Sequence, residues 1–254
     1  MYWQDKWIFK DSIEYEIKYA GKYGGKGEKR AKRTKATSEV IKRQNQRHRE
    51  KKMRRLIKAN FEEGDLWITL KYSKGTRKPV EDVKKDLRKF IDTMRRRFRT
   101  KEREFKFIYR LEIGSQGGIH IHMIIPRIRG EDTELWIQSA WKHGRVNYES
   151  LDKGDYSDLA AYIVKQPDEE VDKQLSLYPM EERKEFIKYS TSRNLVRPVP
   201  VRKEYRTRTL KKVLREGLTP TKGYYILKDS VVSGINQYTG MSYIHYTEMR
   251  IQDG

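Results

Sequence analysis

One stretch of the chain, residues 105–126, constrains the fold most, because it has the pattern of two strands joined by a tight turn. Its second half, residues 119–125, alternates large apolar side chains with His120 and His122. Successive strand residues point to opposite faces, so one face is buried and the other carries both imidazoles. Glycine-rich residues 114–118 favour the turn. The pattern therefore predicts a β-hairpin.

Register decides which residues of the first strand share the face of the histidines. Its apolar residues belong with the buried face, so Arg110 and Glu112 are placed beside the imidazoles. A tight turn sets Glu112 opposite or diagonal to His120, within side-chain reach. Two imidazoles and a carboxylate leave coordination positions open for water and phosphate oxygen. We therefore expect His120, His122 and Glu112 to hold Mg²⁺ or Mn²⁺ as a Lewis acid.

The hydrophobic pattern around the hairpin predicts a split βαβ arrangement. Leu66–Tyr72 alternates as a strand, and an amphipathic helix follows Pro79. After the hairpin we expect a helix ending near Lys142, a strand at 145–151 and a short helix at 155–166. The order β-α-β-β-α-β-α indicates an α+β fold. Helices would pack on one face of a mainly antiparallel, ferredoxin-like or RNA-recognition-motif-like sheet.

Charge and composition suggest three parts. Lys and Arg number 57 against 36 Asp and Glu, a formal net charge of +21. Such a charge concerns partners rather than fold, and it favours nucleic acid. We expect residues 1–60 to form a basic, partly helical N-terminal arm and residues 61–200 to form the main domain. Residues 201–254 form a C-terminal extension of unassigned role, with hints of strands at 224–227 and 242–246.

Several classes of protein are disfavoured or excluded. The chain has no Cys, which excludes a disulfide framework and a thiolate metal site. No apolar run approaches the ~18 residues of a spanning helix, and the first residues lack the apolar segment of a signal peptide. We therefore expect a cytoplasmic protein with no membrane partner. Because no P-loop pattern is present, DNA unwinding would need a separate helicase.

A second candidate group lies on the short helix at 155–166, where Tyr162 and Lys165 are three residues apart. Residues three apart share a helix face, so the phenol and the ammonium are expected to point the same way. A tyrosine attacks phosphorus only when forming the phenolate becomes less costly, which a nearby cation and a metal ion achieve. Alone, Tyr-x-x-Lys is unspecific in a chain with 17 Tyr. A half-buried helix tyrosine is the simpler interpretation without the histidine strand.

In this order the pieces resemble the HUH endonuclease superfamily, which includes rolling-circle replication initiators, relaxases and related transposases. The matching segments are Leu66-Trp-Ile-Thr-Leu-Lys-Tyr72, Gly118-Ile-His-Ile-His-Met-Ile-Ile125 and Leu159-Ala-Ala-Tyr-Ile-Val-Lys165. Residues 35–200 resemble more closely the replication proteins of phages and mobile elements in Gram-positive bacteria. That wider likeness includes Arg54-Arg-Leu-Ile-Lys-Ala-Asn-Phe61 and Tyr189-Ser-Thr-Ser-Arg-Asn-Leu195. The resemblance implies that residues 61–200 form an HUH nicking domain.

The resemblance also implies a reaction. The ion at His120, His122 and Glu112 would polarise a phosphodiester of single-stranded DNA. Tyr162 would attack it, with Lys165 as electrostatic partner, leaving a 5′-phosphotyrosine link and a free 3′-OH. Asp158 stands four residues before Tyr162, so the chain resembles the single-tyrosine members.

The same resemblance implies partners. The substrate would be single-stranded DNA at a replication origin, as is exposed in the loop of a DNA hairpin. A host helicase and polymerase would act with the protein in rolling-circle replication. The basic residues that we expect to contact DNA are Lys71, Arg110, Arg193, Arg54 and Arg55.

Other interpretations remain open at this point. A relaxase or a transposase would use the same chemistry. A non-catalytic module for single-stranded DNA or RNA also uses a split βαβ sheet with aromatic and basic residues. In that case His120 and His122 would stack on bases or contact phosphates. A two-His-one-carboxylate iron oxygenase is a third possibility, but the pattern shows no apolar small-molecule pocket and gives the large positive charge no purpose.

Overall fold

A computed structural model describes residues 2–21, 30–114, 117–152, 154–166, 173–176, 178–205 and 210–251. The chain divides into two compact units. The central unit is Asn45–Val196, and the terminal unit combines Met1–Gln44 with Arg197–Gly254. These boundaries differ from those that the sequence suggested, at residues 60 and 200.

The elements follow one another in a simple order. In chain order they are β1 (Tyr2–Ile8), β2 (Ser12–Tyr19), α1 (Ser38–Asn60), β3 (Leu66–Lys71), α2 (Val80–Arg99), β4 (Ile108–Ile113), β5 (Ile119–Ile125), α3 (Thr133–Ala140), β6 (Val146–Ser150), α4 (Ser157–Val164), α5 (Met180–Ile187), β7 (Tyr189–Thr191), β8 (Val201–Tyr205), α6 (Lys211–Glu216), β9 (Tyr224–Ile226), a 3₁₀ turn (Lys228–Ser230), β10 (Val232–Asn236) and β11 (Met241–Arg250). Within the described ranges, no helix combines the length and the apolar character needed to cross a membrane.

The central unit is built on a five-stranded antiparallel sheet in the order β6-β3-β5-β4-β7. Strands β3 and β4 are connected through α2 and flank β5, which is the split βαβ arrangement that the sequence predicted. The succession from β3 to α4 also follows the predicted order. The α+β fold class is thereby confirmed.

The apolar face of this sheet packs against α2 and α3. Every second residue of β3, β4 and β5 contributes to it, as the period of two requires. The helix α2 adds one continuous apolar stripe. The residues of this core include Leu66, Ile68, Leu70, Val83, Leu87, Phe90, Met94, Leu111, Ile121, Met123, Ile137 and Trp141.

The opposite face of the sheet also carries helices, which corrects the expectation of helices on one face only. Residues of α1 and α4 pack there against Ile108 and Ile124. These two isoleucines are paired across β4 and β5, on the same face as the histidines. The face is therefore apolar at one end and polar at the other, and the apolar end requires cover from water.

The terminal unit joins the two ends of the chain in one antiparallel sheet. Its path is β10-β11-β2-β1-β8, and β9 pairs with β11. Residues 2–19, which the sequence analysis assigned to a basic arm, form its strands β1 and β2. In its core Tyr15 stacks on Tyr246, with ring centroids 4.6 Å apart. Residues 22–29 of the expected arm lie outside the described residues.

Candidate active site

The hairpin of β4 and β5 forms with the predicted register. Glu112 pairs with His120 and Arg110 pairs with His122, so all four side chains lie on one face of the sheet. Residues 115 and 116 of the predicted turn lie outside the described residues. The neighbouring strand β3 adds Thr69 to the same face, directly opposite His122.

His122 is held from several sides. Its Nε2 lies 2.6 Å from Oε2 of Glu112, and its Nδ1 lies 3.2 Å from the hydroxyl of Thr69. The ring stacks on Trp67, with centroids 5.5 Å apart and planes 22° apart. In a neutral imidazole, Nε2–H donates to the carboxylate and Nδ1 accepts from Thr69. The partners on both nitrogens therefore fix the orientation of this ring.

Tyr162 meets the same carboxylate from α4. Its hydroxyl donates a hydrogen bond to Oε2 of Glu112 and lies 3.2 Å from Nε2 of His122. The phenol ring stands edge-on to Trp67, with an interplanar angle of 89°. The structure thus brings together Tyr162, Glu112 and His122, three residues that sequence reasoning selected from two separate segments.

The ionisation of this group follows from its contacts. The hydrogen bond from His122 lowers the pKa of Glu112 to about 2, and the Tyr162 hydroxyl contributes in the same direction. Burial raises the pKa of Tyr162, and the adjacent Glu112 carboxylate raises it further. At neutral pH the carboxylate is therefore ionised and the phenol is protonated.

His120 lies beside this group, with its ring centroid 6.4 Å from that of His122. Burial lowers the pKa of His120, and the positive charge of Lys71 acts in the same direction. The imidazole is therefore neutral at neutral pH. Glycine at position 114 leaves room for this ring, because a Cβ atom there would lie 2.7 Å from Cε1 of His120 and the imidazole would have to shift.

The three expected metal ligands have suitable donor types. A neutral imidazole at His120 and an ionised carboxylate at Glu112 match the preference of divalent ions such as Mn²⁺ and Mg²⁺ for nitrogen and oxygen donors. In the described residues, however, no group of three or more His, Asp or Glu is arranged around one ion position. His122 and Glu112 are instead joined directly by a hydrogen bond.

Lys165 is exposed at the end of α4. The helix ends at Val164, and Lys165 is its C-cap residue, with φ −53° and ψ 130°. The backbone N–H of Lys165 donates to the carbonyl oxygen of Tyr162 at 3.3 Å. That the phenol of Tyr162 and the ammonium of Lys165 point the same way stays a prediction.

Arg110 was expected to contact DNA, but the structure buries it. Its guanidinium is 9% exposed. It donates to the backbone oxygens of Tyr162 at 2.6 Å, Ile163 at 3.2 Å and Lys165 at 3.3 Å, and to that of Phe186 at 3.3 Å. A cation at the C-terminal carbonyls of a helix also complements the helix dipole. Arg110 therefore fixes the end of α4 that carries Tyr162.

The other expected DNA contacts are dispersed. Lys71 lies at the end of β3, paired with His120. Arg54 of α1 lies 3.9 Å from Asp155, just before α4, and Arg55 is half-buried on the same helix. Arg193 is exposed and follows β7. Of this group, Lys71 lies nearest to the candidate site.

Two residues of the site were not selected from the sequence. Trp67 and Thr69 hold His122, and both come from β3. Their alternation with the buried Leu66, Ile68 and Leu70 was a usable signal, because it places them on the histidine face once β3 pairs with β5.

The segment that contains this geometry also matches a family model. Residues 65–167 match the model of a family described as Replication-associated protein ORF2. The segment is similar to replication-associated proteins. It runs from the start of β3 to just beyond α4, and it includes Glu112, His120, His122 and Tyr162. Searches of curated proteins and of solved structures gave no match.

Proposed function

We propose that the protein is a single-tyrosine endonuclease of the HUH type that nicks and rejoins single-stranded DNA at a replication origin. The observation that carries the proposal is the hydroxyl of Tyr162, held against Glu112 and His122 on the polar face of the sheet. A helix tyrosine that served packing alone would not need contact with two ionisable groups. The match of residues 65–167 to a replication-associated family supports the replication role in this proposal.

The reaction is a transesterification. The oxygen of Tyr162 bonds to phosphorus as the bond from phosphorus to the 3′ oxygen breaks. The phenol proton passes to Glu112, whose carboxylate already accepts its hydrogen bond. The departing 3′ oxygen takes up a proton and leaves as a 3′-OH, while the 5′-phosphate stays on the tyrosine. Attack by a 3′-OH on this link reverses the step and rejoins DNA.

The surrounding residues position the nucleophile. Arg110 holds the backbone of Tyr162 through its carbonyl oxygen, at 2.6 Å. Trp67 lies against both the His122 ring and the Tyr162 ring, which limits their motion. Positioning of this kind supplies a large part of the rate enhancement in such reactions. We keep Lys165, the C-cap residue of α4, as a candidate electrostatic partner of the phosphate.

A divalent ion belongs to this proposal. His120, His122 and Glu112 are the residues that would hold Mg²⁺ or Mn²⁺, which would act as a Lewis acid on the scissile phosphate. The donor types fit, as described above. We expect cleavage to require one of these ions and to stop on addition of EDTA, and cleavage that persists in EDTA would contradict the metal site.

The direct test is a search for the covalent intermediate. The protein is incubated with Mn²⁺ and a pool of single-stranded oligonucleotides of random sequence, labelled at the 3′ end. The 3′ fragment remains on the protein, so the label should move with the protein in a denaturing gel. Sequencing of the captured DNA identifies the site, and peptide mass spectrometry should locate the adduct on Tyr162.

The matched control is Tyr189→Phe, which removes a hydroxyl from a partly buried tyrosine that packs against the core formed by residues of α1 and α4. We expect Tyr162→Phe to abolish the adduct while affinity for single-stranded DNA is unchanged, and Tyr189→Phe to retain it. An adduct that survives in Tyr162→Phe would disprove the assignment of the nucleophile.

A non-catalytic module for single-stranded DNA or RNA is the second candidate. The stacked rings of Trp67 and His122 favour it, because bases stack on such surfaces. Binding without any adduct under Mn²⁺ or Mg²⁺ would support this candidate. A relaxase or a transposase would give the same covalent adduct. For the proposed replication initiator, a host helicase and polymerase would be partners.

A further inference from the structure

The outer face of α2 is strongly basic. Its inner face packs in the core of the central unit through Val83, Leu87, Phe90, Met94 and Phe98. Six cationic side chains of the helix are exposed, and two of them, Lys85 and Arg95, pair with carboxylates of the same helix. We call the other four the α2 basic face, and they are Arg88, Lys89, Arg96 and Arg99.

Three of the four carboxylates of α2 are engaged by other cations. Asp86 is bound by Lys78 at 2.6 Å. Asp82 pairs with Lys85 at 3.0 Å, and Asp92 pairs with Arg95 at 3.3 Å. In the described part of the chain, no ion pair within 4.0 Å involves a residue of the α2 basic face.

Helix stability explains only part of this pattern. Cations in the last turn complement the helix dipole, which accounts for Arg96 and Arg99. Arg88 and Lys89 lie near the middle of the helix, where this benefit is absent. Like charges three or four residues apart, such as Arg96 and Arg99, cost a few tenths of a kcal/mol. An anionic partner would remove that repulsion.

The α2 basic face is separate from the candidate active site. The helix packs on the apolar face of the sheet, whereas Tyr162 and His122 contact each other on the opposite face. The whole sheet therefore lies between these cations and the nucleophile. The few nucleotides that lie at Tyr162 therefore cannot also contact the α2 basic face.

We propose that the α2 basic face binds the sugar–phosphate backbone of duplex DNA. From Arg88 to Arg99 the helix rises roughly 16 Å, a length over which each strand of a duplex presents about five phosphates. The aromatic residues of α2, Phe90 and Phe98, are buried. Its exposed face therefore offers phosphate contacts without the stacking surfaces that single strands use. This proposal rests on the proposed function. It places the duplex next to the nicked strand on the side of the sheet opposite Tyr162.

The test uses the full chain carrying Tyr162→Phe, so that no cleavage intervenes. The variant replaces Arg88, Lys89, Arg96 and Arg99 with Gln. The control replaces four exposed cations elsewhere with Gln, which gives the same change of charge, and these are Arg129, Lys142, Lys222 and Lys228. Fluorescence anisotropy measures binding to a labelled 30-base-pair DNA duplex over a range of salt concentrations.

We expect the α2 variant to lower duplex affinity roughly 100-fold at ~0.1 M salt and to reduce the slope of log affinity against log salt by about 3. The control should change affinity by less than tenfold. Affinity for a 15-nucleotide single strand should be unchanged, and thermal unfolding should show that the variant is folded. Equal losses in the two variants, or a larger loss for duplex RNA than for duplex DNA, would overturn the proposal.

The outcome is independent of the nicking chemistry, because duplex affinity is measured without a nucleophile. If the α2 variant selectively loses duplex affinity but the protein with Tyr162 intact forms no covalent adduct, only the proposed function is disproved. If the adduct forms but the α2 variant and the control lose duplex affinity equally, only the α2 proposal is disproved.

Discussion

The sheets of the two units each hold a carboxylate whose pKa is lowered, and the neighbours of these carboxylates differ. Glu112 in the central unit contacts His122 and Tyr162. Asp5 in the terminal unit is bound by Arg202 at 2.6 Å and by Lys18 at 3.1 Å. Burial alone would raise the pKa of Asp5, but these two cations lower it below its ordinary value.

The difference separates two uses of a strand carboxylate. Arg and Lys keep their protons at every physiological pH, so Asp5 can only join strands β1, β2 and β8 electrostatically. Imidazole and phenol gain and lose protons in enzyme reactions, so in the proposed reaction Glu112 would exchange a proton with Tyr162. A lowered pKa is therefore not by itself a sign of a reactive site, and the chemistry of the partners decides.

The largest effect should come from Glu112→Gln. We expect DNA cleavage to fall by about 10²–10⁴-fold, because the amide neither takes the phenol proton nor contributes a negative charge. Asp5→Asn, the matched control, should leave the cleavage rate within about twofold. Single-turnover rates on the captured DNA sequence measure both. Equal losses in the two variants would remove the distinction between the two carboxylates.

Arg110→Met should have the next largest effect, which is a loss of folding stability. Four carbonyl oxygens would lose a donor, including those of Tyr162 and Phe186. Each unsatisfied buried acceptor costs about 1–3 kcal/mol, so we expect a loss of about 3 kcal/mol or more. Hydrogen exchange of residues 154–166 should accelerate strongly. Arg193→Met, at an exposed position, serves as control and should change little. Unaltered protection in Arg110→Met would show that this arginine does not hold α4.

Asp5→Asn should weaken the terminal unit by about 2 kcal/mol at neutral pH, since charged hydrogen bonds to Arg202 are lost. The effect depends on pH in a defined sense. A carboxylate with a lowered pKa stabilises the folded state above its unfolded pKa of about 3.9, and this contribution is lost as pH falls through the lower folded value. Hydrogen exchange of β1 should therefore differ between the proteins above about pH 5 and converge in strong acid. A difference that stays constant as the pH falls into strong acid would contradict the ion-pair explanation.

The contrast also shows what the sequence could predict. In the central unit, β4 and β5 are neighbours in the chain, and their alternation and turn determine both partner and register. In the terminal unit, β1 and β2 are also neighbours and pair with each other, but their outer partners β8 and β11 lie about 200 residues further along the chain. No local pattern identifies such outer partners. The assignment of residues 2–19 to an arm missed the local hairpin, although β2 alternates apolar and polar residues as a strand does.

The residues of the candidate site likewise divide into those that a local sequence pattern identifies and those that it does not. Glu112, His120 and His122 came from one hairpin, so register alone placed them on one face. Tyr162 needed the resemblance, because nothing in its own helix distinguishes it from the other tyrosines. Arg110 was misassigned because a sequence shows its charge but not the helix end that covers it.

The smallest effect tests how His122 is oriented. Thr69 lies opposite His122 across β3 and β5 and contacts its Nδ1. Thr69→Val keeps the shape of the side chain but removes the hydroxyl, so the ring loses the partner that fixes its orientation. We expect cleavage to fall by about tenfold, a size typical of residues that orient a ligand or base.

Thr69→Ser is the conservative variant and should restore most of the rate, because it retains the hydroxyl. Stability should change by less than about 1 kcal/mol in both variants, since a strand tolerates either residue. Equal rates in Thr69→Val and Thr69→Ser would show that packing rather than the hydrogen bond matters here. A loss confined to Thr69→Val would place β3, a strand without an expected ligand or nucleophile, among the elements that position the chemistry of Tyr162.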